Sequence, residues 1–111
     1  MADDIIKTAY FFKALGDPTH IKILRLLLSH NSLCTGMIAF KLNITQSAVS
    51  QHLMILKIND IVETKRTWFY IHYRVNENIF KKFGIGLAKI IKVKEDNITA
   101  ENRSKNLKET T

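Results

Sequence analysis

The feature that most constrains this sequence is a pair of short helical patterns, residues 36–42 and 46–58, separated by only three residues. Within each pattern the apolar side chains recur at the spacing of one helix face. Asn43 tolerates the left-handed conformation that a tight turn needs, and Thr45 is a favoured residue for the start of the second helix. The pattern predicts a helix-turn-helix.

The apolar period changes from that of a helix to that of a strand directly after this unit. Residues 61–66 and 69–75 alternate between apolar and polar side chains, which predicts two strands joined by Thr67 and Trp68. Neither connecting residue is glycine or asparagine, so the turn type is poorly specified. A β-hairpin in this position is called a wing.

Three more amphipathic segments flank these elements, at residues 5–15, 18–29 and 77–92. Asp17 and Pro18 mark the start of the second, because aspartate favours the N-cap and proline the first helical turn. The order of elements predicts a mainly α fold with a small β-hairpin, namely a winged helix-turn-helix of about five helices plus the wing.

Length and charge narrow the organisation and the partners. A chain of 111 residues forms one domain, which we expect at residues 1–94, followed by a polar, disordered tail at residues 95–111. Lys and Arg number 17 against 10 Asp and Glu, for a net charge of +7. The excess lies entirely between residues 20 and 94, where 12 Lys and Arg stand against three Asp and Glu. This distribution favours nucleic acid or an anionic membrane surface as partner.

Several classes of protein are excluded. No apolar stretch is long enough to span a membrane, and no signal peptide is recognisable, so we expect a cytoplasmic protein without a membrane partner. The single cysteine, Cys34, excludes a disulfide within the chain and a four-cysteine zinc site. No catalytic set of residues stands in a supporting context, so we do not expect an enzyme.

The second helix of a helix-turn-helix enters the major groove of DNA and reads base edges from its exposed N-terminal face. Glutamine can bond adenine through two hydrogen bonds, and serine can bond base edges or phosphates. The alternative is an ordinary polar helix face that meets only water. The candidate base-reading residues are Gln46, Ser47, Ser50 and Gln51.

Four segments resemble the ArsR/SmtB family of winged-helix repressors: ALGDPTH at residues 14–20, LCTGMIA at 33–39, ITQSAVSQHL at 44–53 and YIHYRV at 70–75. The resemblance covers about residues 8–92 and is most specific in the predicted recognition helix. It implies a homodimer that represses transcription by binding double-stranded operator DNA and leaves it when an inducer binds.

On this basis we predict which side chains meet DNA and which meet a second copy of the chain. The DNA backbone contacts are Lys41, Thr45, His52, Lys57, Lys65 and Arg66. The first and last helices hold more large apolar side chains than a core of this size needs, and a two-fold dimer would bury them. The dimer-interface candidates are Phe11, Phe12, Ile79, Phe80, Phe83, Leu87 and Ile90.

The metal sites familiar in the family look dismantled, so we predict no metal and no cofactor. One site type needs two cysteines, but the matching positions hold Cys34 and Gly36. The other needs Asp, His or Glu on the last helix, where three of the four matching positions are apolar, among them Ile79 and Ile90. The inducer is left unknown. Cys34 is either a small buried side chain or a lone thiol sensor activated by a helix N-terminus.

Two histidines and the single tryptophan have more than one plausible role in the sequence. His20 replaces the arginine usual in the family and is expected at the surface, whereas His52 is expected to be structural or a phosphate contact rather than a metal ligand. Trp68 replaces the glycine usual near the wing turn, and it either packs back on the body or contacts DNA or a partner. A winged helix can also dock a partner protein instead of DNA, which is the alternative function.

Overall fold

The computed structural model describes the backbone of residues 2–90 and the side chains of residues 4–84. The elements in order are α1 (Ala2–Leu15), α2 (Pro18–His30), β1 (Leu33–Cys34), α3 (Thr35–Leu42), α4 (Gln46–Ile58), β2 (Val62–Thr67), β3 (Tyr70–Val75) and α5 (Glu77–Ile90). Five helices and a wing confirm the predicted fold class. The predicted tail at residues 95–111 lies outside the described residues.

The strands form one antiparallel sheet in the order β1-β3-β2. The short extended piece at residues 33–34 is the edge strand β1, which pairs Leu33 with Tyr73 and Cys34 with His72. The wing is therefore tied to the helical body through β3. The wing differs slightly from the sequence prediction, because the turn residues are Trp68 and Phe69 rather than Thr67 and Trp68, and β2 extends to Thr67.

Capping residues define the helix-turn-helix as expected. Asn43 takes a left-handed conformation (φ 55°, ψ 45°) after α3, and its N–H donates to helix carbonyls. The Thr45 hydroxyl accepts a hydrogen bond of 3.0 Å from the Ala48 N–H and so caps α4. Ile44 is half-buried and packs against the core between them. These contacts hold α4 at a fixed angle to α3.

The core lies between the helices and the base of the wing, and α1 and α5 contribute Phe11, Ala14 and Ile79 to it. The largest fully buried side chains are Phe11, Ile23, Leu27, Ile38, Val49, Leu53, Leu56, Ile61 and Val62. Three of them belong to α4, so the recognition helix is anchored by one whole face. Within the described residues, no helix is long and apolar enough to cross a membrane.

Candidate nucleic-acid interface

The polar face of α4 points away from the protein. All four predicted base-reading residues, Gln46, Ser47, Ser50 and Gln51, are exposed, while Val49, Leu53 and Leu56 are buried behind them. The buried face prevents the helix from rotating, and the exposed polar groups are free to bond another molecule. This surface has the chemistry required to read base edges in the major groove.

One of these residues is close to the neighbouring helix. A Cβ added at Gly36, in the first turn of α3, would stand 3.4 Å from Gln46 Nε2. The Gln46 side chain therefore lies next to the start of α3, at a distance where an added Cβ would make only an ordinary van der Waals contact.

The exposed face of α4 continues into apolar residues that the sequence analysis did not assign to the site. Met54 and Ile58 are 60% and 73% exposed and lie on the same side of the helix as Gln51. Apolar side chains at a DNA surface can contact the methyl group of thymine. Helical periodicity alone places Met54 on this polar face, opposite the apolar positions of α4, but it assigns no role to either side chain.

The predicted backbone-contact residues lie on α3, on α4 itself and on the wing. Lys41 is exposed in the last turn of α3, Lys57 in the last turn of α4, and Lys65 and Arg66 on β2. Since consecutive strand residues point to opposite faces, Lys65 and Arg66 extend from opposite sides of the wing. A neighbouring arginine is already paired: Arg74 Nε donates to Glu63 Oε1 at 3.0 Å.

The tip of the wing exposes two aromatic rings. Trp68 is 90% exposed and Phe69 is 91% exposed, so the first interpretation of Trp68, packing back on the body, is wrong. Trp68 also has φ 53°, in the left-handed region that disfavours bulky residues and explains the usual glycine. Two large apolar side chains are therefore displayed at the tip.

We expect Trp68→Gly to change the affinity for DNA while leaving the free energy of unfolding nearly unchanged. Glycine adopts the positive φ without steric cost but raises the entropy of the unfolded chain, so the free energy of unfolding should change by less than about 1 kcal/mol. Loss of the indole should weaken DNA binding several-fold if the ring meets the DNA. Thermal melting and a DNA titration of the same samples check both. Unchanged affinity would assign the ring to another partner.

A cluster of three titratable side chains joins α2 to α4, and the sequence analysis missed it. His20 is only 3% exposed, so its predicted surface position is wrong. Its Nδ1–H donates to the Ala14 carbonyl at 2.8 Å, and its Nε2 lies 2.9 Å from His52 Nδ1. Asp17 Oδ2 lies 3.8 Å from the same Nε2. His52 therefore has a structural contact, one of the two roles predicted for it.

The carboxylate in this cluster is favoured in its ionised form. Burial raises the pKa of Asp17, but the hydrogen bond from the Thr19 N–H and the nearby His20 and His52 rings outweigh it, and the pKa lies below its ordinary value. The Thr19 bond, 2.8 Å to Oδ1, is also the N-cap of α2. Asp17 thus carries a negative charge next to two imidazoles at neutral pH.

Cys34 is half-buried at the junction of β1 and α3. It occupies the N-cap position of α3 but makes no side-chain cap bond. Its position at a helix start agrees with both interpretations of this residue, the packed side chain and the thiol sensor.

The predicted dimer-interface residues differ in how much surface they leave for a partner. Phe11 is 2% exposed and Ile79 8%, so both are core residues of a single protomer and have little surface left for a partner. Phe11 stacks on Phe83, with ring centroids 4.5 Å apart, and meets Phe80 edge-on at 5.4 Å. Phe12 keeps 38% exposure. The side chains of Leu87 and Ile90 lie outside the described residues.

Comparison with known proteins agrees with this geometry. The family model described as bacterial regulatory protein, arsR family, matches residues 17–64, from the start of α2 into β2. The HTH-type transcriptional regulator MJ1325 of Methanocaldococcus jannaschii is 40% identical over 75 residues, which cover 66% of this chain and 83% of that protein. The transcriptional repressor SdpR of Bacillus subtilis is 37% identical over 70 residues, covering 63% and 77%.

A solved structure shares the architecture as well. The crystal structure of NolR from Sinorhizobium fredii superimposes with a TM-score of 0.65 at 29% identity, covering 80% of this chain and 88% of that one. The similarity therefore extends beyond the helix-turn-helix to the flanking helices and the wing. The chain belongs to the arsR family of bacterial regulatory proteins and is a DNA-binding transcription regulator with a winged helix-turn-helix fold.

Proposed function

We propose that this chain is a homodimeric repressor that inserts one α4 helix from each protomer into successive major grooves of operator DNA. The observation that carries the proposal is the exposed polar N-terminal face of α4, which a buried apolar face anchors. Exposed basic side chains lie at the other end of the same helix, at Lys57, and on the wing, at Lys65 and Arg66. Phosphate contacts would position the protein, and the α4 side chains would select the sequence.

Gln51 is the best candidate for direct base recognition. It is exposed one helical turn after Ser47, and no described contact ties its amide to the protein. Its amide carries both a donor and an acceptor, as adenine N6 and N7 require. Gln46 offers the same chemistry at the start of the helix, next to α3.

We expect Gln51→Ala to weaken specific binding by about 5- to 150-fold, the range of one bidentate base contact of about 1–3 kcal/mol. Binding to random duplex should change little, because that affinity comes from the phosphates. The measurement is a fluorescence-anisotropy titration with an operator selected from a random library and with a scrambled duplex. An equal loss on both would remove Gln51 from base reading, and no duplex affinity in the unmodified chain would favour the protein-docking alternative.

The outer face of α1 supports the homodimer. Ile5, Ile6, Tyr10 and Phe12 are exposed by 54%, 52%, 56% and 38%. An exposed row of apolar side chains on one helix is typical of a protein–protein interface, because contact with a partner removes this apolar surface from water. We infer that these α1 residues, rather than Phe11, meet the second protomer.

The regulation of this repressor differs from that of relatives with the familiar metal sites. Gly36 offers no ligand beside Cys34, and Ile79 is a buried core residue where a ligand would be needed. We infer that neither site binds metal in this chain. Any inducer then acts through other residues.

A further inference from the structure

We propose that Asp17, His20 and His52 form a binding site for a divalent transition-metal ion of the Zn²⁺ or Co²⁺ type, at the junction of α2 and the recognition helix α4. The cluster differs from both metal sites considered above in its residues and its place in the fold. It requires no DNA, so it stands independently of the proposed repressor function.

The three ligand atoms already converge. One carboxylate oxygen and one ring nitrogen from each histidine lie within 4.8 Å of one another. Two ligands of a tetrahedral zinc ion, each about 2.0–2.1 Å from the metal, are roughly 3.3 Å apart. The observed separations of 2.9 Å for His20 Nε2 to His52 Nδ1 and 3.8 Å for His20 Nε2 to Asp17 Oδ2 bracket this value. Small side-chain rotations would therefore suffice once His52 carries its ring proton on Nε2, because Nδ1 cannot donate to His20 and bind the ion at the same time.

The surroundings orient the ligands as metal sites require. His20 Nδ1–H donates to the Ala14 carbonyl, which leaves the Nε2 lone pair directed at the cluster. A ligating histidine nearly always donates its other N–H to a carbonyl or carboxylate in this way. Asp17 uses Oδ1 to cap α2 and keeps Oδ2 for the cluster. Asp17 and His20 thus each use one atom in a structural hydrogen bond and keep another for the ion. His52 is half-exposed.

The donor set selects the class of ion. Two imidazole nitrogens and one carboxylate oxygen suit zinc, cobalt and related divalent ions, whereas magnesium and calcium prefer oxygen ligands alone. A negative carboxylate also offsets part of the ionic charge. Three protein ligands leave a fourth position, which Asp17 and His52 keep open toward solvent, since both are only partly buried.

Titration of the full chain with Co²⁺, free of DNA, tests the site through the visible absorption of the bound ion. We expect one Co²⁺ per chain in tetrahedral coordination, displaced by Zn²⁺. His52→Gln and Asp17→Asn should each weaken the affinity by more than about 100-fold, beyond what loss of an outer-shell partner costs. Asn at position 17 keeps an oxygen for the Thr19 N–H, so α2 remains capped.

The matched control is His72→Gln, which removes a half-buried histidine of β3 outside the cluster. Its affinity should equal that of the unmodified chain, and thermal melting should show all three variants folded. The proposal is overturned if the unmodified chain gives no tetrahedral spectrum, or if the two cluster variants bind Co²⁺ as well as the control does. The His20–His52 contact would then be a structural hydrogen bond only.

Discussion

Replacing Lys65 and Arg66 together by glutamine is expected to weaken DNA binding by about 100- to 20,000-fold. A hydrogen bond to a charged group contributes about 1.5–3 kcal/mol, and each 1.4 kcal/mol is tenfold in affinity, so two lost phosphate contacts give this range. The loss should be equal on operator and random duplex, because phosphates carry no sequence information. The dependence of log affinity on log salt should flatten by about 1.8, two contacts at 0.9 each.

The matched control is the double variant Lys81→Gln, Lys82→Gln, which removes the same charge from exposed positions on α5. A loss below tenfold there would localise the effect to the wing. Equal losses in the two double variants would contradict a phosphate-contacting wing and assign the affinity to the overall charge of +7. Anisotropy titrations between about 50 and 200 mM salt, the range in which DNA affinity usually falls steeply, measure both the affinity and its salt dependence.

The single variants should measure the separate contributions of Lys65 and Arg66, because the two side chains extend from opposite faces of the hairpin. Arg66 lies opposite Ile71 and on the same face as Val62, whose side chain enters the core next to α4. Lys65 shares the other face with Glu63, across from Arg74 and His72. We expect Arg66→Gln to account for more of the loss than Lys65→Gln, since its face is the one turned toward α4.

Phe11→Ala should produce the largest loss of stability, about 3–5 kcal/mol of unfolding free energy. The ring is buried and contacts Phe12, Phe80 and Phe83, so truncation leaves a cavity between α1 and α5 and removes aromatic contacts. Phe12→Ala is the neighbouring control. Its ring is 38% exposed, so we expect a smaller loss, below about 2 kcal/mol, together with a weaker dimer.

Urea denaturation at one fixed protein concentration measures these losses, because dimerisation contributes to apparent stability. Sedimentation velocity of the folded variants measures the monomer–dimer equilibrium. Equal stability losses would show that Phe12 is as buried in solution as Phe11. A Phe12→Ala variant with an unchanged dimer would move the interface away from this face of α1.

Much of the fold was predictable because its determinants are local. The turn between α3 and α4 depends on Asn43 and Thr45, whose conformational and capping preferences act within a few residues. The same holds for the start of α2 at Asp17 and for the alternation of the wing strands. The error at the wing turn also has a local cause, since Trp68 is unfavourable in the conformation that it adopts.

The sequence by itself determined the winged helix-turn-helix, the polar face of α4 and the concentration of positive charge around it, because helical and strand periods and caps are properties of neighbouring residues. Only the tertiary structure decided that Phe11 is core while Phe12 is surface, that Trp68 is displayed, and that Asp17, His20 and His52 meet. His20 and His52 are 32 positions apart. Their contact depends on how α2 packs against α4, and no local preference encodes the packing of two helices.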